Sequence, residues 1–124
     1  MMYADTDFFL ALIKKEDWLK ISAKKIYEEY KGSINTSIIT LTELALVAKK
    51  MDMDIEEVFG SLFQLCKVDD ITLEEGMEIA HLIHDEQVGI FDSFHAVLSR
   101  GRTIISSERV YEKLGKRKQK IGKE

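Results

Sequence analysis

The sequence contains no proline, no repeat and no stretch rich in glycine and serine. Such segments usually mark linkers and domain boundaries, so their absence favours one continuous domain. A chain of 124 residues, 45% of them hydrophobic, is long enough to bury one core and too short for two. We expect one domain over residues 1–115, followed by a basic tail over residues 116–124.

Long apolar runs are also missing. Runs such as Phe8–Ile13 and Ser37–Leu41 are far shorter than the roughly 20 residues that a membrane span needs. The N-terminus carries Asp5 and Asp7 where an export signal would have a basic start and an unbroken apolar stretch. The single cysteine, Cys66, has no partner for an internal disulfide. These absences predict a soluble cytoplasmic protein with no membrane partner.

An excess of positive charge is absent as well, because 18 basic and 22 acidic residues leave a net charge of -4. This balance excludes a protein that holds nucleic acid by bulk attraction. Basic residues nevertheless gather near the C-terminus: Lys113, Lys116, Arg117, Lys118, Lys120 and Lys123. Short charged termini are usually disordered, so a frayed, solvated tail is the first interpretation and a phosphate-contacting tail is the second.

Hydrophobic periodicity predicts short strands that alternate with helices. The predicted strands are Met2–Asp5, Ile34–Ile38, Val68–Ile71 and Thr103–Ser106. The predicted helices are Phe8–Ile13, Glu16–Lys31, Leu41–Lys50, Ile55–Cys66, Thr72–Asp85, Phe91–Arg100 and Glu108–Leu114. This alternation predicts an α/β fold with a mostly parallel sheet that is covered on both faces. In such folds the functional crevice lies beyond the carboxyl ends of the strands.

Four acidic residues fall near those strand ends. Asp5 ends the first strand and Glu43 opens the helix after the second, while Asp92 and Glu108 flank the last strand. Clustered carboxylates raise one another's pKa unless a hard cation lies among them, and oxygen ligands favour Mg²⁺ or Mn²⁺. Such an ion can activate water and neutralise the charge that grows during phosphodiester hydrolysis. The acids therefore predict a metal-dependent hydrolase.

Each acid also has a structural explanation, because helix starts attract acids. Thr40-x-x-Glu43 has the pattern of a capping box, and Asp54-x-x-Glu57 and Thr72-x-x-Glu75 share that pattern. Asp92 would be an N-cap residue, Glu108 would complement a helix dipole, and Asp5 would end a strand in a turn. Spacing alone leaves the catalytic and the structural explanations open.

Four segments together resemble the PIN domain family of ribonucleases, and in particular the VapC-type toxins of toxin-antitoxin systems. They are Tyr3–Leu10 (YADTDFFL), Ser37–Leu44 (SIITLTEL), Gly89–Leu98 (GIFDSFHAVL) and Thr103–Tyr111 (TIISSERVY). The resemblance implies a three-layer α/β/α sandwich with a central, mostly parallel sheet of four or five strands. It also implies a Mg²⁺ or Mn²⁺ site with catalytic and metal-binding roles for Asp5, Glu43, Asp92 and Glu108, supported by the hydroxyls of Thr6 and Ser106.

By the same resemblance, the chain is expected to cut RNA endonucleolytically with water as the nucleophile. Small PIN toxins work as homodimers and are blocked by a cognate antitoxin, so both partners are expected. Two positions depart from the family pattern: Glu108 replaces the usual aspartate, and Val110 stands where a second acid often follows. These departures support an alternative, a catalytically impaired PIN-like module that binds RNA or protein.

Histidines and basic residues complete the set of candidates. His95 follows Asp92 by one helical turn, and a buried, hydrogen-bonded role is favoured over metal binding because Mg²⁺ prefers oxygen. His81-x-x-His84-Asp85 resembles part of the HD phosphohydrolase pattern, but that fold is all-helical. Phosphate contacts or solvated helix ends are equally open roles for Lys49, Lys50, Arg100, Arg102 and Arg109.

Overall fold

The computed structural model describes residues 1–86 and 88–122. Its strands are β1 Met2–Ala4, β2 Ile34–Ser37, β3 Lys67–Asp69, β4 Thr103–Ser106 and β5 Lys118–Lys120. Its helices are α1 Thr6–Ile13, α2 Lys20–Tyr30, α3 Ile38–Lys50, α4 Ile55–Leu65, α5 Leu73–Glu86, α6 Ile90–Leu98 and α7 Val110–Lys113. The predicted alternation of strands and helices is confirmed.

The five strands form one parallel sheet in the order β3-β2-β1-β4-β5. The chain first adds β2 and β3 on one side of β1, then crosses to place β4 and β5 on the other side. The strand order therefore reverses between β1 and β4. At such a point the connections leave the sheet in opposite directions and open a crevice at the carboxyl ends of the strands.

Alternate residues of the central strands enter two different hydrophobic cores, because successive side chains of a strand point to opposite faces. Met2 and Ala4 of β1 pack in one core with residues of α1, α2, α3 and α4. Tyr3 of β1 and Ile104 of β4 belong to the other core, which includes residues of α5, α6 and α7. The fold is the expected three-layer α/β/α sandwich.

The C-terminal segment differs from the frayed tail that the sequence predicted. Residues 118–120 form β5, which pairs with Ile104–Ser106 of β4, and Ile121 is buried in the first core. The interpretation as a frayed, solvated tail is therefore wrong for these residues, while Lys123 lies outside the described part of the chain. The charged residues of this edge strand lack the apolar alternation by which strands are predicted, so the periodicity did not indicate it.

Three helices begin earlier than predicted: α1, which starts at Thr6 instead of Phe8, and α3 and α6. Helix α3 starts at Ile38 instead of Leu41, directly after β2, and α6 starts at Ile90 with Gly89 as its N-cap residue. Thr40 thus lies inside the first turn of α3, and Asp92 lies inside the first turn of α6. The starts of α3 and α6 thus decide whether the capping explanations for Glu43 and Asp92 hold.

The all-helical HD arrangement is excluded by the parallel sheet. His81 and His84 lie on α5 with 73% and 89% of their side-chain surface exposed, and both contact Asp85. Among residues 1–86 and 88–122, no helix combines the length and the apolar character required to cross a lipid bilayer.

Candidate active site

A pocket of about 130 Å³ lies in the crevice at the carboxyl ends of β1 and β4. Its lining includes all four acids proposed from the sequence, and ten residues in total: Asp5, Thr6, Asp7, Leu10, Glu43, Val47, Asp92, His95, Glu108 and Tyr111. No lysine or arginine is among them. The fold therefore concentrates negative charge where its topology opens a crevice.

Several other clefts are larger, and the two largest have a different chemistry. A cleft of about 840 Å³ beside α1, α2 and α4 mixes acids with Lys15 and Lys24. Another, of about 690 Å³, is mostly apolar and is lined by residues of α3 and α4, including Leu46 and Phe59. Neither cleft gathers unpaired carboxylates, so we place the candidate site in the smaller acidic pocket.

Glu43 does not belong to a capping box. The N-cap residue of α3 is Ser37, and the buried Thr40 hydroxyl instead hydrogen-bonds the hydroxyl of Thr36 at 2.7 Å. The two other segments with this sequence pattern do cap their helices. For example, the Glu75 amide donates to the Thr72 hydroxyl at 3.2 Å, and the Thr72 amide donates to the Glu75 carboxylate at 3.0 Å.

Helix capping is also absent for the other three acids. Asp5 occupies the N-cap position of α1, but its side chain makes no capping hydrogen bond. The N-cap residues of α6 and α7 are Gly89 and Arg109, so neither Asp92 nor Glu108 caps a helix. The four carboxylates are thus available to the pocket instead of being consumed by helix ends.

Asp5 and Asp7 are the most constrained acids of the pocket. Asp5 is only 3% exposed, and among the described residues its Oδ1 atom and the Oδ1 atom of Asp7 are the two buried side-chain atoms without a hydrogen-bond partner. Burial raises the pKa of Asp5 well above its usual value, the adjacent Asp7 carboxyl raises it further, and a hydrogen bond from Ser106 opposes both effects.

The second oxygen of Asp7 is firmly held. Its Oδ2 atom accepts a hydrogen bond from the backbone amide of Ser107 at 3.1 Å and another from the Ser107 hydroxyl. This pair of bonds joins the first turn of α1 to the loop that follows β4, next to Glu108. Sequence reasoning missed Asp7, because an acid in the first turn of a helix is usually explained by the helix dipole.

Glu43 is oriented by two neighbours. The Thr6 hydroxyl donates to Glu43 Oε1 at 2.6 Å, and His95 Nε2 contacts the same oxygen. The other ring nitrogen of His95 lies 2.7 Å from the Tyr3 hydroxyl, which also bonds Ser37 at 2.8 Å. His95 is therefore a buried, hydrogen-bonded residue, as expected, and it connects the sheet to a pocket acid.

Asp92 and Glu108 complete the acidic lining. Burial raises the pKa of Asp92, and the Glu43 carboxylate adds to this increase. Tyr111 is fully buried, and its hydroxyl donates to Asp92 Oδ1 at 3.5 Å. Partial burial, followed by the charges of Asp7 and Asp92, raises the pKa of Glu108. Burial first, and like charges second, thus disfavour ionisation of Asp5, Asp92 and Glu108.

The chemistry of this donor set fits a hard divalent cation, because carboxylate oxygens dominate it and two of them are buried without a donor. Side chains of residues 1–86 and 88–122 form no group of three or more His, Cys, Asp or Glu arranged to hold a metal ion. The Glu43 carboxylate is instead hydrogen-bonded to Thr6 and His95. Metal binding at this site therefore requires carboxylate side chains to turn towards a common point.

The supporting hydroxyls lie beside the acids. Thr6 contacts Glu43, as described above, and the Ser106 hydroxyl accepts from the Glu108 amide at 2.9 Å. By contrast, two candidate phosphate contacts are engaged elsewhere. Arg100 pairs with Glu75 at 2.7 Å and Arg102 with Asp69 at 2.8 Å.

A family comparison agrees with this topology. The model of the PIN domain family matches residues 2–116. The chain belongs to the PIN domain family. Its first strand, its reversal point and its acidic pocket all lie within the matched segment, so the site described above is the crevice of a PIN domain.

Solved structures share this PIN fold over nearly the whole chain. VapC20 of Mycobacterium tuberculosis, described as a toxin that cleaves the sarcin-ricin loop, is 18% identical with a TM-score of 0.79, covering 93% of this chain and 95% of that one. VapBC2 of Rickettsia felis, bound to promoter DNA, is 14% identical with a TM-score of 0.76, covering 98% and 100%. DNA-bound VapBC of Salmonella typhimurium is 21% identical with a TM-score of 0.71, covering 98% of each chain.

A comparison with curated protein sequences finds no match. At these low identities the solved structures establish the fold of this PIN domain and leave its activity to be argued from its own residues.

Proposed function

We propose that this PIN domain is a divalent-metal-dependent endoribonuclease and the toxin of a toxin-antitoxin pair. One observation carries the proposal: acids from four separate segments of the sequence line one pocket at the reversal point of the sheet. None of the four makes a capping hydrogen bond at a helix start.

In this proposal Asp5, Glu43, Asp92 and Glu108 hold a Mg²⁺ or Mn²⁺ ion. When bound, the ion supplies Lewis-acid stabilisation of the phosphodiester and lowers the pKa of a water nucleophile. The protein orients the ligands. Thr6 and His95 restrain the Glu43 carboxylate, and the amide of Glu108 bonds the Ser106 hydroxyl. Such fixed ligand orientation lowers the reorganisation needed during the reaction.

The proposed substrate and partners come from the similar structures. One of them is described as a toxin that cleaves an RNA loop, and two others are VapBC complexes bound to DNA. We extend these properties to this chain as an RNA substrate and a cognate antitoxin, and we add a homodimeric assembly from the family resemblance. Cleavage of cellular RNA also assigns the protein to the cytoplasm, where the single cysteine would stay reduced.

Cleavage of a fluorescent panel of single-stranded and stem-loop RNAs in Mn²⁺, Mg²⁺ or EDTA tests the activity. Asp92→Asn keeps the size of the side chain and removes its charge, so cutting is expected to disappear in this variant. Asp52→Asn is the matched control, since Asp52 is an exposed turn residue with φ +55° that does not line the pocket. Cutting that persists in EDTA or in Asp92→Asn would contradict the proposed mechanism.

A binding module with an impaired site is the second candidate. It is favoured by the hydrogen bonds that already occupy Glu43 Oε1 and by Glu108 and Val110, which depart from the family pattern. This candidate expects wild-type protein and Asp92→Asn to bind RNA equally and to leave it intact in both metals. Fluorescence anisotropy with the same RNA panel distinguishes it from the nuclease.

A further inference from the structure

We propose that Asp7 is a fifth acidic ligand of the pocket and shares a divalent cation with Asp5. The inference rests on the proposed function and deepens it, because it adds a metal-binding residue that the sequence motifs do not mark. It comes from the two oxygens of Asp7, which have opposite surroundings.

One oxygen of Asp7 is fixed in place. Its Oδ2 atom accepts from both the amide and the hydroxyl of Ser107, which leaves the side chain little freedom to rotate. The orientation of the whole carboxylate is therefore set by the loop after β4. A ligand whose orientation is fixed beforehand loses less conformational entropy when it binds a cation.

The other oxygen has no donor. Asp7 Oδ1 and Asp5 Oδ1 are buried without a hydrogen-bond partner, and Asp5 is 3% exposed. Buried polar atoms in folded proteins are nearly always partnered, so an unpartnered pair points to a missing proton or ion. A single proton neutralises one of the two carboxylates, whereas a divalent cation neutralises both.

Asp7 also lies within electrostatic reach of the remaining acids. Its charge contributes to the raised pKa values of Asp92 and Glu108, so it belongs to the same cluster. The acid that the family often carries near the end of the site is Val110 in this chain. Asp7 instead supplies a carboxylate to the pocket from helix α1.

The competing explanation is that Asp7 only fastens the loop through Ser107. Ser107→Ala separates the two roles, because it removes the Ser107 hydroxyl that bonds Asp7 and keeps the Asp7 carboxylate. A purely structural Asp7 would make Asp7→Asn and Ser107→Ala behave alike. A metal-binding Asp7 would make loss of the carboxylate weaken metal binding far more than loss of the Ser107 hydroxyl, because the Ser107 amide still holds Asp7 Oδ2.

Isothermal titration calorimetry with MnCl₂ on the full chain tests the inference without any RNA substrate. Asp7→Asn should weaken Mn²⁺ binding by at least about tenfold. Removal of a residue that only orients a metal ligand already weakens binding by roughly that factor. Asp52→Asn should match wild type, and Ser107→Ala should stay close to it. Circular dichroism checks that each variant is folded, and Asp7→Ser replaces Asp7→Asn if the latter is not.

The results separate this inference from the proposed function. If Asp5→Asn loses Mn²⁺ binding while Asp7→Asn and Asp7→Ser retain wild-type affinity, Asp7 is not a ligand and the proposed site stands. Equal weakening of Mn²⁺ binding in Asp7→Asn and Ser107→Ala would likewise overturn the ligand role, and it would favour a purely structural role for the Asp7–Ser107 hydrogen bonds. If wild-type protein binds no Mn²⁺, both the inference and the metal-dependent function fall.

Discussion

Two acids near helix starts, Glu75 and Asp5, look alike in the sequence but have opposite surroundings in the structure. Glu75, at the start of α5, receives hydrogen bonds from Thr72 and from Arg100, whose Nε lies at 2.7 Å. These donors, Arg100 first, lower the pKa of Glu75 to about 2. Asp5, at the start of α1, is buried without such a set of donors, and its pKa is raised.

The comparison teaches that the supply of donors separates a structural acid from a functional one. Glu75 stabilises the fold because its ionised form is partnered, whereas the ionised form of Asp5 is desolvated and faces another carboxyl group. An arrangement that disfavours folding persists when function requires it. On the proposed function, the acidic pocket trades stability for a site that a cation would complete.

The largest stability effect is expected at Asp5. Because the folded protein raises the pKa of Asp5 above 3.8, the favourable contribution of the protonated carboxyl is fully present below about pH 4 and is lost as pH rises through the folded-state pKa. Asp5→Asn, whose amide can donate to Asp7, should raise the free energy of unfolding at pH 7 by about 1–3 kcal/mol in the absence of metal.

Urea denaturation at pH 7 and at pH 3.5 measures this difference. The gain should shrink at the lower pH, where the wild-type carboxyl is protonated as well. Asp52→Asn provides the control for removal of one surface charge. A loss of stability in Asp5→Asn at pH 7 would place Asp5 with the structural acids and remove the contrast with Glu75.

A smaller effect of opposite sign is expected at Glu75. Its pKa is lowered from 4.5 to about 2, so its contribution is present above about pH 4.5 and is lost as pH falls through 2. Glu75→Gln should lower the free energy of unfolding at pH 7 by about 1 kcal/mol or less, since partly exposed ion pairs are screened by solvent. The neighbouring exposed Glu74→Gln should have less effect in the same denaturation experiment.

Most of the fold followed from periodicity, and the reason is physical. Buried parallel strands and amphipathic helices leave short apolar runs and 3.6-residue patterns, and these located β1, β2, β4 and the main helices. Strand β5 escaped because Lys118 and Lys120 carry charge at the edge of the sheet. Its stabilising contacts come from pairing with β4 and from burial of Ile121, which no local pattern records.

The acids of the candidate site could be proposed from the sequence, whereas their hydrogen-bond partners could not. Asp5, Glu43, Asp92 and Glu108 could be proposed because each follows or precedes a strand at the same edge of a parallel sheet. The contacts of Asp7 with Ser107 span 100 positions of sequence, so spacing could not reveal them. Without such contacts, capping and catalysis could not be separated at Glu43 either.

Crystals of the wild-type protein grown with saturating MnCl₂, with data collected at the manganese absorption edge, test the central claim most directly. The account predicts an anomalous difference peak inside the pocket, beside Asp5 and Asp92, and no such peak in crystals of Asp92→Asn. A wild-type pocket without an anomalous peak, or manganese bound only at other sites, would contradict the claim that these carboxylates serve a metal ion.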